Sequence, residues 1–330
     1  MNANTMKAVV ASGYGAPDVL QVQEVKKPQV GEHGLLIKVY ATSATTADTM
    51  MRTGKPYYSR LFIGLLRPKH PIPGTGFAGI VESVGSKVAR FQPGDKVFGE
   101  TTFGFSTNAE YIAISENGVV QPMPEGMSFA EATTFCDGPL TSLNFLSQIA
   151  RLKSGQKILI NGASGSLGTA AVQLARYFGA HVTGVCSTRN VGLVKSLGAD
   201  VVIDYTQEDF TKGAARYNII FDTVGKCPFE AARKALTPDG QYISPVLSMK
   251  LLRQMIWTSR FGRQKAIFSA TGMVAEDALR NMLGSLIDIY TNGHLKIVID
   301  RQYPLEKVAD AHSYIATGRK KGNVIIAVVA

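Results

Sequence analysis

The residues best placed for chemistry form the run Asn161-Gly162-Ala163-Ser164-Gly165-Ser166-Leu167-Gly168. Gly165 and Gly168 fit the second and third glycines of G-x-G-x-x-G, with Ala163 in the first place. Gly165 lacks a Cβ, so backbone can approach a pyrophosphate, and Gly168 lets a helix pack close on a sheet. N–H groups at a helix start face an anion. Ala163, Ser164, Gly165, Ser166, Leu167 and Gly168 are therefore the expected phosphate cradle of a dinucleotide. The next strand end reads Cys186-Ser187-Thr188-Arg189-Asn190. An NAD site places Asp or Glu near such a strand end, for the ribose 2′-OH. Here Ser187 stands there, with Arg189 two residues on. A carboxylate repels a 2′-phosphate, whereas a hydroxyl and a guanidinium attract it. The pattern predicts NADP(H).

These residues need a sheet to position them. Lys157–Asn161, His181–Cys186 and Val201–Ile203 read as strands, alternating with helices over Leu167–Phe178 and Val191–Leu197. In the first helix Leu167, Ala171, Leu174, Ala175 and Phe178 share a face, and Gly179 sits where a terminating glycine belongs. This βαβαβ unit is half of a doubly wound sheet. Asn218–Val224, Gly240–Pro245 (after a turn at Pro238-Asp239-Gly240) and Ala266–Ala270 supply three further strands.

The chain has 330 residues, 45% apolar and 18% charged, which suits a soluble protein of about two domains. No apolar run reaches the ~18–20 residues that a membrane helix needs. The opening MNANTMKAVV has no signal-peptide core, and Cys136, Cys186 and Cys227 form no C-x-x-C pair. A reducing, cytoplasmic setting is expected. The net charge of +10 could suggest nucleic acid or a membrane surface, but it is spread thinly, and an anionic cofactor and substrate would also favour it.

Residues 1–125 read as short strands at Lys7–Ser12, Leu20–Glu24, Leu35–Ala41, Gly79–Val84 and Lys96–Phe98, punctuated by Gly and Pro. That spacing suggests a compact barrel. Ser128-Phe129-Ala130-Glu131 is a capping box that opens a helix, and a second helix is expected over Pro139–Ile149. Residues 249–265 mix basic and apolar types. A membrane-surface helix is one reading; a lid or dimer segment fits better, because Gly262 breaks the pattern. Glu276–Tyr290 reads as a helix and Asn323–Val329 as a buried strand that returns to the N-terminal barrel.

Together, PGTGFAGIVESVG, PGDKVFG, NGASGSLGTAAVQLA, SLGADVVIDY and KKGNVIIAV resemble the medium-chain dehydrogenase/reductase superfamily, in its zinc-free, quinone oxidoreductase-like (zeta-crystallin-like) branch. The resemblance runs from Met6 to Val328. It implies an α/β chain: a GroES-like β-barrel catalytic domain over 1–124, a Rossmann doubly wound parallel sheet domain that binds NADPH over 125–272, and a return to the catalytic domain over 273–330. It implies hydride transfer to a small-molecule quinone or enone, and a homodimer paired through the edge strand Ala266–Ala270.

Zinc relatives place ligands where this chain has Thr45, Gly74-Thr75-Gly76 and, beside Cys136, Asp137. Thr and Gly cannot stand in for thiolate and imidazole, so no metal site is expected. The resemblance assigns Tyr57, with Tyr58 as competitor, to the substrate pocket as proton or hydrogen-bond donor. It sets Thr141 against the nicotinamide, Thr45 and Asp48 in the catalytic cleft, and Tyr205 near the adenosine phosphate. Val224, Gly225 and Asn323 complete the cofactor set. A short-chain dehydrogenase would need Tyr303 and Lys307 on one helix, which Pro304 opposes. A non-catalytic NADPH- or nucleic-acid-binding protein is the alternative from another class; no basic groove with interleaved aromatics supports it.

Overall fold

The computed structural model describes residues 4–329, apart from the side chains of Phe62 and Phe103. The chain forms two compact units. The first takes in the chain up to Asp137, Ala275–Ile287 and the chain from Ile299; the second is Gly138–Val274 with Asp288–Val298.

The second unit is built on six strands: Lys157–Asn161, His181–Cys186, Val201–Asp204, Tyr217–Asp222, Leu236–Ser244 and Lys265–Phe268. All pair in parallel, and across the sheet they stand third, second, first, fourth, fifth, sixth. This is the doubly wound order that the glycine turn predicts. The sheet changes its direction of growth between Lys157–Asn161 and Tyr217–Asp222, and such a switch point is where these sheets bind ligands. Ile158, Leu159 and Ile160 are consecutive, apolar and fully buried, as a strand covered on both faces requires. Leu159, Val185, Ile220, Phe229 and Tyr242 join one core cluster of this sheet.

Helix Ser166–Tyr177 buries Ala170, Ala171, Val172, Leu174 and Ala175. It ends before Gly179, whose φ of +76° is the left-handed conformation a terminating glycine supplies. The segment Pro139–Ile149 is helical, but as an α-helix over Gly138–Leu143 followed by a wider π turn over Asn144–Ile149. Pro238-Asp239-Gly240 is not a free turn. It lies within strand Leu236–Ser244, and the register against Tyr217–Asp222 slips there.

In the first unit, strand Gly34–Ala44 is the hub. One edge pairs with Gly76–Val84; the other pairs with Tyr111–Ser115 along Gly34–Lys38 and with Asn323–Ala327 along Ala41–Ala44. Lys96–Glu100 and Val119–Pro122 extend the sheet. Strands Tyr111–Ser115 and Val119–Pro122 escaped the sequence reading because they are short and only partly alternating. The return of the C-terminal strand is as expected. Ser128 and Glu131 form the capping box: Ser128 Oγ accepts from Glu131 N–H at 3.2 Å, and Ser128 N–H donates to Glu131 Oε2 at 3.0 Å. Among the described residues no helix is long and apolar enough to cross a membrane.

Candidate functional site

Three loops leave the C-terminal ends of neighbouring strands in the second unit: the glycine turn after Asn161, Ser187–Asn190, and Thr223–Cys227. Gly162 has φ +82°, and a Cβ there would meet Val224 Cγ2 at 2.5 Å. The turn is held from within. Gly162 and Ala163 N–H donate to the Val185 carbonyl at 3.1 and 2.9 Å, and Gly165 N–H donates to the Gly162 carbonyl at 3.0 Å. So Ala163 and Gly165 shape the turn through their N–H groups. Among the described residues no acceptor is paired with the Ser164 or Leu167 N–H. These donors sit at the start of a helix whose first residue, Ser166, follows an uncapped Gly165.

The two fingerprint glycines differ, and Gly168 packs as closely as the sequence predicts. A Cβ on Gly168 would lie 2.1 Å from the Gly162 carbonyl oxygen, so helix and turn pack too closely for any side chain. A Cβ on Gly165 would meet nothing nearer than 3.5 Å. That is ordinary contact, so no neighbouring atom of the protein demands glycine here, and the bare backbone suits a phosphate lying against it. Helix Gly138–Leu143 lies close to the same helix start: Ser142 Oγ donates to the Leu167 carbonyl at 2.8 Å, and a Cβ on Gly138 would meet Ser166 Oγ at 2.7 Å. Thr141 sits on this helix, half-buried.

Two polar residues that the sequence reading passed over hold these loops. Asn190 is buried, and its Nδ2 donates to Ser164 Oγ at 2.9 Å and, more distantly, to Ser187 Oγ at 3.4 Å. Its Oδ1 is buried without a partner among the described residues. Asp222 is fully buried. Its Oδ1 accepts from Asn161 Nδ2 and from the N–H groups of Val224 and Gly225 at 2.9–3.1 Å; its Oδ2 accepts from Cys227 N–H at 3.1 Å and Tyr242 O–H at 2.8 Å. Asp222 thus shapes the loop that carries Val224 and Gly225. The Cys227 thiol is pushed up to about 12 by burial and then by Asp222, and that of Cys186 to about 11 by burial and then by Asp204; neither acts as a thiolate.

Arg189 and Tyr205 are exposed, and Ser187 is half-buried. The strand end itself holds no carboxylate, but the neighbouring strand brings one alongside: Asp204 pairs in register with Cys186. Its carboxylate is occupied. Asp204 Oδ1 accepts from Thr206 N–H at 2.9 Å and Thr206 O–H at 2.8 Å, and hydrogen bonds from Thr188 and Thr206 hold its carboxyl below the usual range.

The remaining expected residues lie in the first unit. Thr45 caps helix Thr46–Thr53: its O–H donates to Asp48 Oδ2 at 2.8 Å, and its Oγ1 accepts from Asp48 N–H at 3.0 Å. Thr45 thus has a capping task within its own helix, its hydroxyl proton on Asp48. Asp48 is buried, and its carboxyl is pushed up to about 6, by burial first, against the Thr45 hydrogen bonds and with Asp137 adding to the rise. Tyr57 is 66% exposed, with the Arg60 guanidinium 5.0 Å from its ring, while the half-buried Tyr58 has its phenol raised by burial. Asn323 is buried at the start of its strand.

A polar group around Asp48 was not foreseen. Glu100 pairs in register with Gly76, and its carboxyl is pushed up to about 8 by burial, then by Asp137 and Asp48. A Cβ on Gly76 would meet Ser43 Oγ at 3.0 Å and Cys136 Cβ at 3.4 Å. The Cys136 thiol is raised well above its ordinary value by burial, then by Glu100 and Asp137. Lys320 is lowered by burial, against Asp137, Asp300 and Asp48. Burial and the neighbouring carboxylates favour the protonated form of Glu100. Among the described residues no set of three or more His, Cys, Asp or Glu is arranged to hold a metal.

Comparison with known proteins adds the following. Residues 31–126 match the family model described as alcohol dehydrogenase GroES-like domain, and residues 197–326 match that described as zinc-binding dehydrogenase. A 2-methylene-furan-3-one reductase of Solanum lycopersicum is 33% identical, covering 97% of this chain and 79% of its own. An NADPH-dependent alkenal/one oxidoreductase of Arabidopsis thaliana, chloroplastic, is 30% identical over 97% of this chain and 79% of its own. The solved quinone oxidoreductase of Coxiella burnetii superposes with a TM-score of 0.88 at 28% identity, covering 98% of this chain and 100% of that one.

Proposed function

The chain belongs to the quinone oxidoreductase-like branch of the medium-chain dehydrogenase/reductase family, and from that premise we propose that it reduces quinones or the activated C=C bonds of enones and alkenals with NADPH. The observation that carries the proposal is the turn at the sheet's switch point, where Gly165 bears no side chain and, among the described residues, no acceptor is paired with the Ser164 or Leu167 N–H. NADPH supplies the hydride when bound.

The chain's own residues have defined tasks in this reading. Ser164 and Leu167 bind the pyrophosphate through backbone, and Asn190 keeps Ser164 in place. Ser187 and Arg189 take the 2′-phosphate, with Tyr205 beside it on the next strand end. Hydrogen bonds from Thr188 and Thr206 keep Asp204 ionised on the neighbouring strand end, so in this reading the Arg189 guanidinium outweighs its repulsion of the 2′-phosphate. Val224 and Gly225, set by Asp222, and Thr141 flank the rest of the cofactor, and Asn323 serves its nicotinamide end.

The donor set supports chemistry without zinc. Thr45 is tied to Asp48, Gly76 has no side chain, and the Cys136 thiol resists ionisation. These residues do not fit a zinc ion, which takes thiolate, imidazole or carboxylate ligands in a tetrahedral set. Alcohol oxidation without a Lewis acid leaves an alkoxide poorly stabilised. A conjugated acceptor spreads its developing charge, so neutral donors suffice. Tyr57 is the proposed donor. Glu100, its protonated form favoured by burial, is a second proton source. A non-catalytic binding protein of the same fold is not favoured, since the relatives compared are reductases.

Lys265–Phe268 is the outer strand of its sheet, which supports a homodimer paired through that edge. The functional test is a panel of quinones, alkenals, cyclic enones and simple alcohols, each with NADPH and NADH, before and after chelator. Turnover of alcohols that chelator abolishes and Zn²⁺ restores would reject the reading.

A further inference from the structure

Helix Met249–Arg260 leads into the edge strand of the second unit. Its inner side is anchored. Leu251 and Met255 pack on the core of the sheet, and the buried Thr258 Oγ1 accepts from Ala266 N–H at 3.2 Å. Gly262 falls beyond the helix end, so it does not break the helix as the sequence reading assumed.

The outer side has an unusual composition. Met249 is 62% exposed, Ile256 58%, Trp257 46% and Phe261 75%. Among them stand Lys250, Arg253 and Arg260, also exposed, and among the described residues no carboxylate pairs with any of the three. No Asp or Glu occurs from Met249 to Lys265. Arg263 is set apart, because Asp239 holds it at 2.8 Å. Glu230, on a neighbouring helix, accepts from Gln254.

We propose that this face docks on the surface of a bilayer that carries anionic phospholipid. Large apolar side chains gathered on an exposed face mark an interaction site. Three candidate occupants meet different parts of the chemistry. A second copy laid face to face on this helix brings only Lys250, Arg253 and Arg260 as charged partners and no carboxylate, so like charges oppose that pairing. A homodimer through the strand edge Lys265–Phe268 does not need it. A nucleic acid matches the cations but offers no apolar bed for Met249, Ile256 and Phe261. A phospholipid surface offers both: phosphates for the cations, and the acyl boundary for the apolar side chains. Trp257 suits the headgroup level, where an amphipathic ring is stable. The helix is already folded and held by its sheet, so docking costs little ordering entropy.

Trp257 is the chain's sole tryptophan, so its emission reports this face directly. The full-length protein is mixed with vesicles of phosphatidylcholine, with and without phosphatidylglycerol. The expected result is sedimentation with the phosphatidylglycerol vesicles alone, a blue shift of Trp257 emission, and release by salt. Combining Lys250→Gln, Arg253→Gln and Arg260→Gln should weaken association about a hundredfold. Ile256→Ser with Phe261→Ser should abolish the blue shift, while NADPH turnover persists in both variants. Equal binding to both vesicles, or none, overturns the proposal; that readout on the unmodified protein does not depend on a variant folding. Salt-sensitive DNA binding without vesicle binding would assign the face to nucleic acid instead. A halved mass of the serine variant in light scattering, without vesicle binding, would assign it to a second copy.

Discussion

Asn190 Nδ2 donates to Ser164 Oγ at 2.9 Å, so one buried amide ties the glycine turn to the loop after the neighbouring strand. The phosphate cradle and the proposed 2′-phosphate residues are therefore positioned together. Asn190→Ala removes this tie and leaves Ser164 free to turn. A hydrogen bond of this kind contributes roughly 1 kcal/mol, which converts to about fivefold. The expected result is a rise in KM for NADPH of about that size with kcat nearly unchanged. An unchanged KM would show that the turn holds its shape without Asn190.

Gly165 and Gly168 separate binding from folding. Gly165→Ala adds a Cβ that meets no atom nearer than 3.5 Å, so the unfolding midpoint should stay within a few degrees. The same Cβ enters the space proposed for the pyrophosphate, and NADPH affinity should fall at least about tenfold. Gly168→Ala places a Cβ 2.1 Å from the Gly162 carbonyl oxygen and should cost about 3 kcal/mol or more in stability. Thermal melts and cofactor titrations of the two variants distinguish these outcomes.

Cofactor choice rests on Ser187 and Arg189. Hydrogen bonds to charged groups contribute about 1.5–3 kcal/mol, so NADPH should exceed NADH by about 10–100-fold in kcat/KM. Arg189→Ala should erase most of that preference and leave NADH turnover nearly unchanged. Equal use of both cofactors by the unmodified protein would reject the assignment.

Glu100 makes stability depend on pH. Its folded-state value of about 8 lies above the ordinary 4.5, so the folded protein binds the proton more tightly than the unfolded chain does. The resulting stability is fully present below pH ~4.5 and is lost as pH rises through about 8. Asp48, pushed up to about 6, acts in the same direction over a lower window. Burial is the first cause for both. Glu100→Gln should match the unmodified protein near pH 5 and exceed it near pH 8.5, by on the order of 1–4 kcal/mol. Denaturant melts at the two pH values measure the difference; a gap that does not widen with pH would contradict the raised pKa of the half-buried Glu100.

The sheet unit was largely legible in the sequence. Strands covered on both faces leave unbroken apolar runs, as at Ile158–Ile160, and Gly168 and Gly179 each answer a specific steric need. Asn190 and Asp222 were not legible, because the groups they hold come from segments distant in sequence or from backbone. Asp204 escaped notice for a related reason: parallel pairing, not chain order, brings it beside Cys186. Thr45 was placed in the catalytic cleft because family position said so. The short T-x-x-D spacing to Asp48, a capping signature, carried the better signal. The helix from Met249 was obscured by cations that break its apolar pattern on its exposed side.

The central claim is hydride transfer from NADPH to a conjugated acceptor without metal. Its most direct test is a single turnover, in chelator-treated protein, of an alkenal with NADPH deuterated at the reactive C4 position, followed by mass spectrometry of the product. The account predicts one deuterium at the β-carbon of the saturated aldehyde, with the rate unchanged by added Zn²⁺. Reduction of the carbonyl to an alcohol, or turnover that appears only with Zn²⁺, would contradict it.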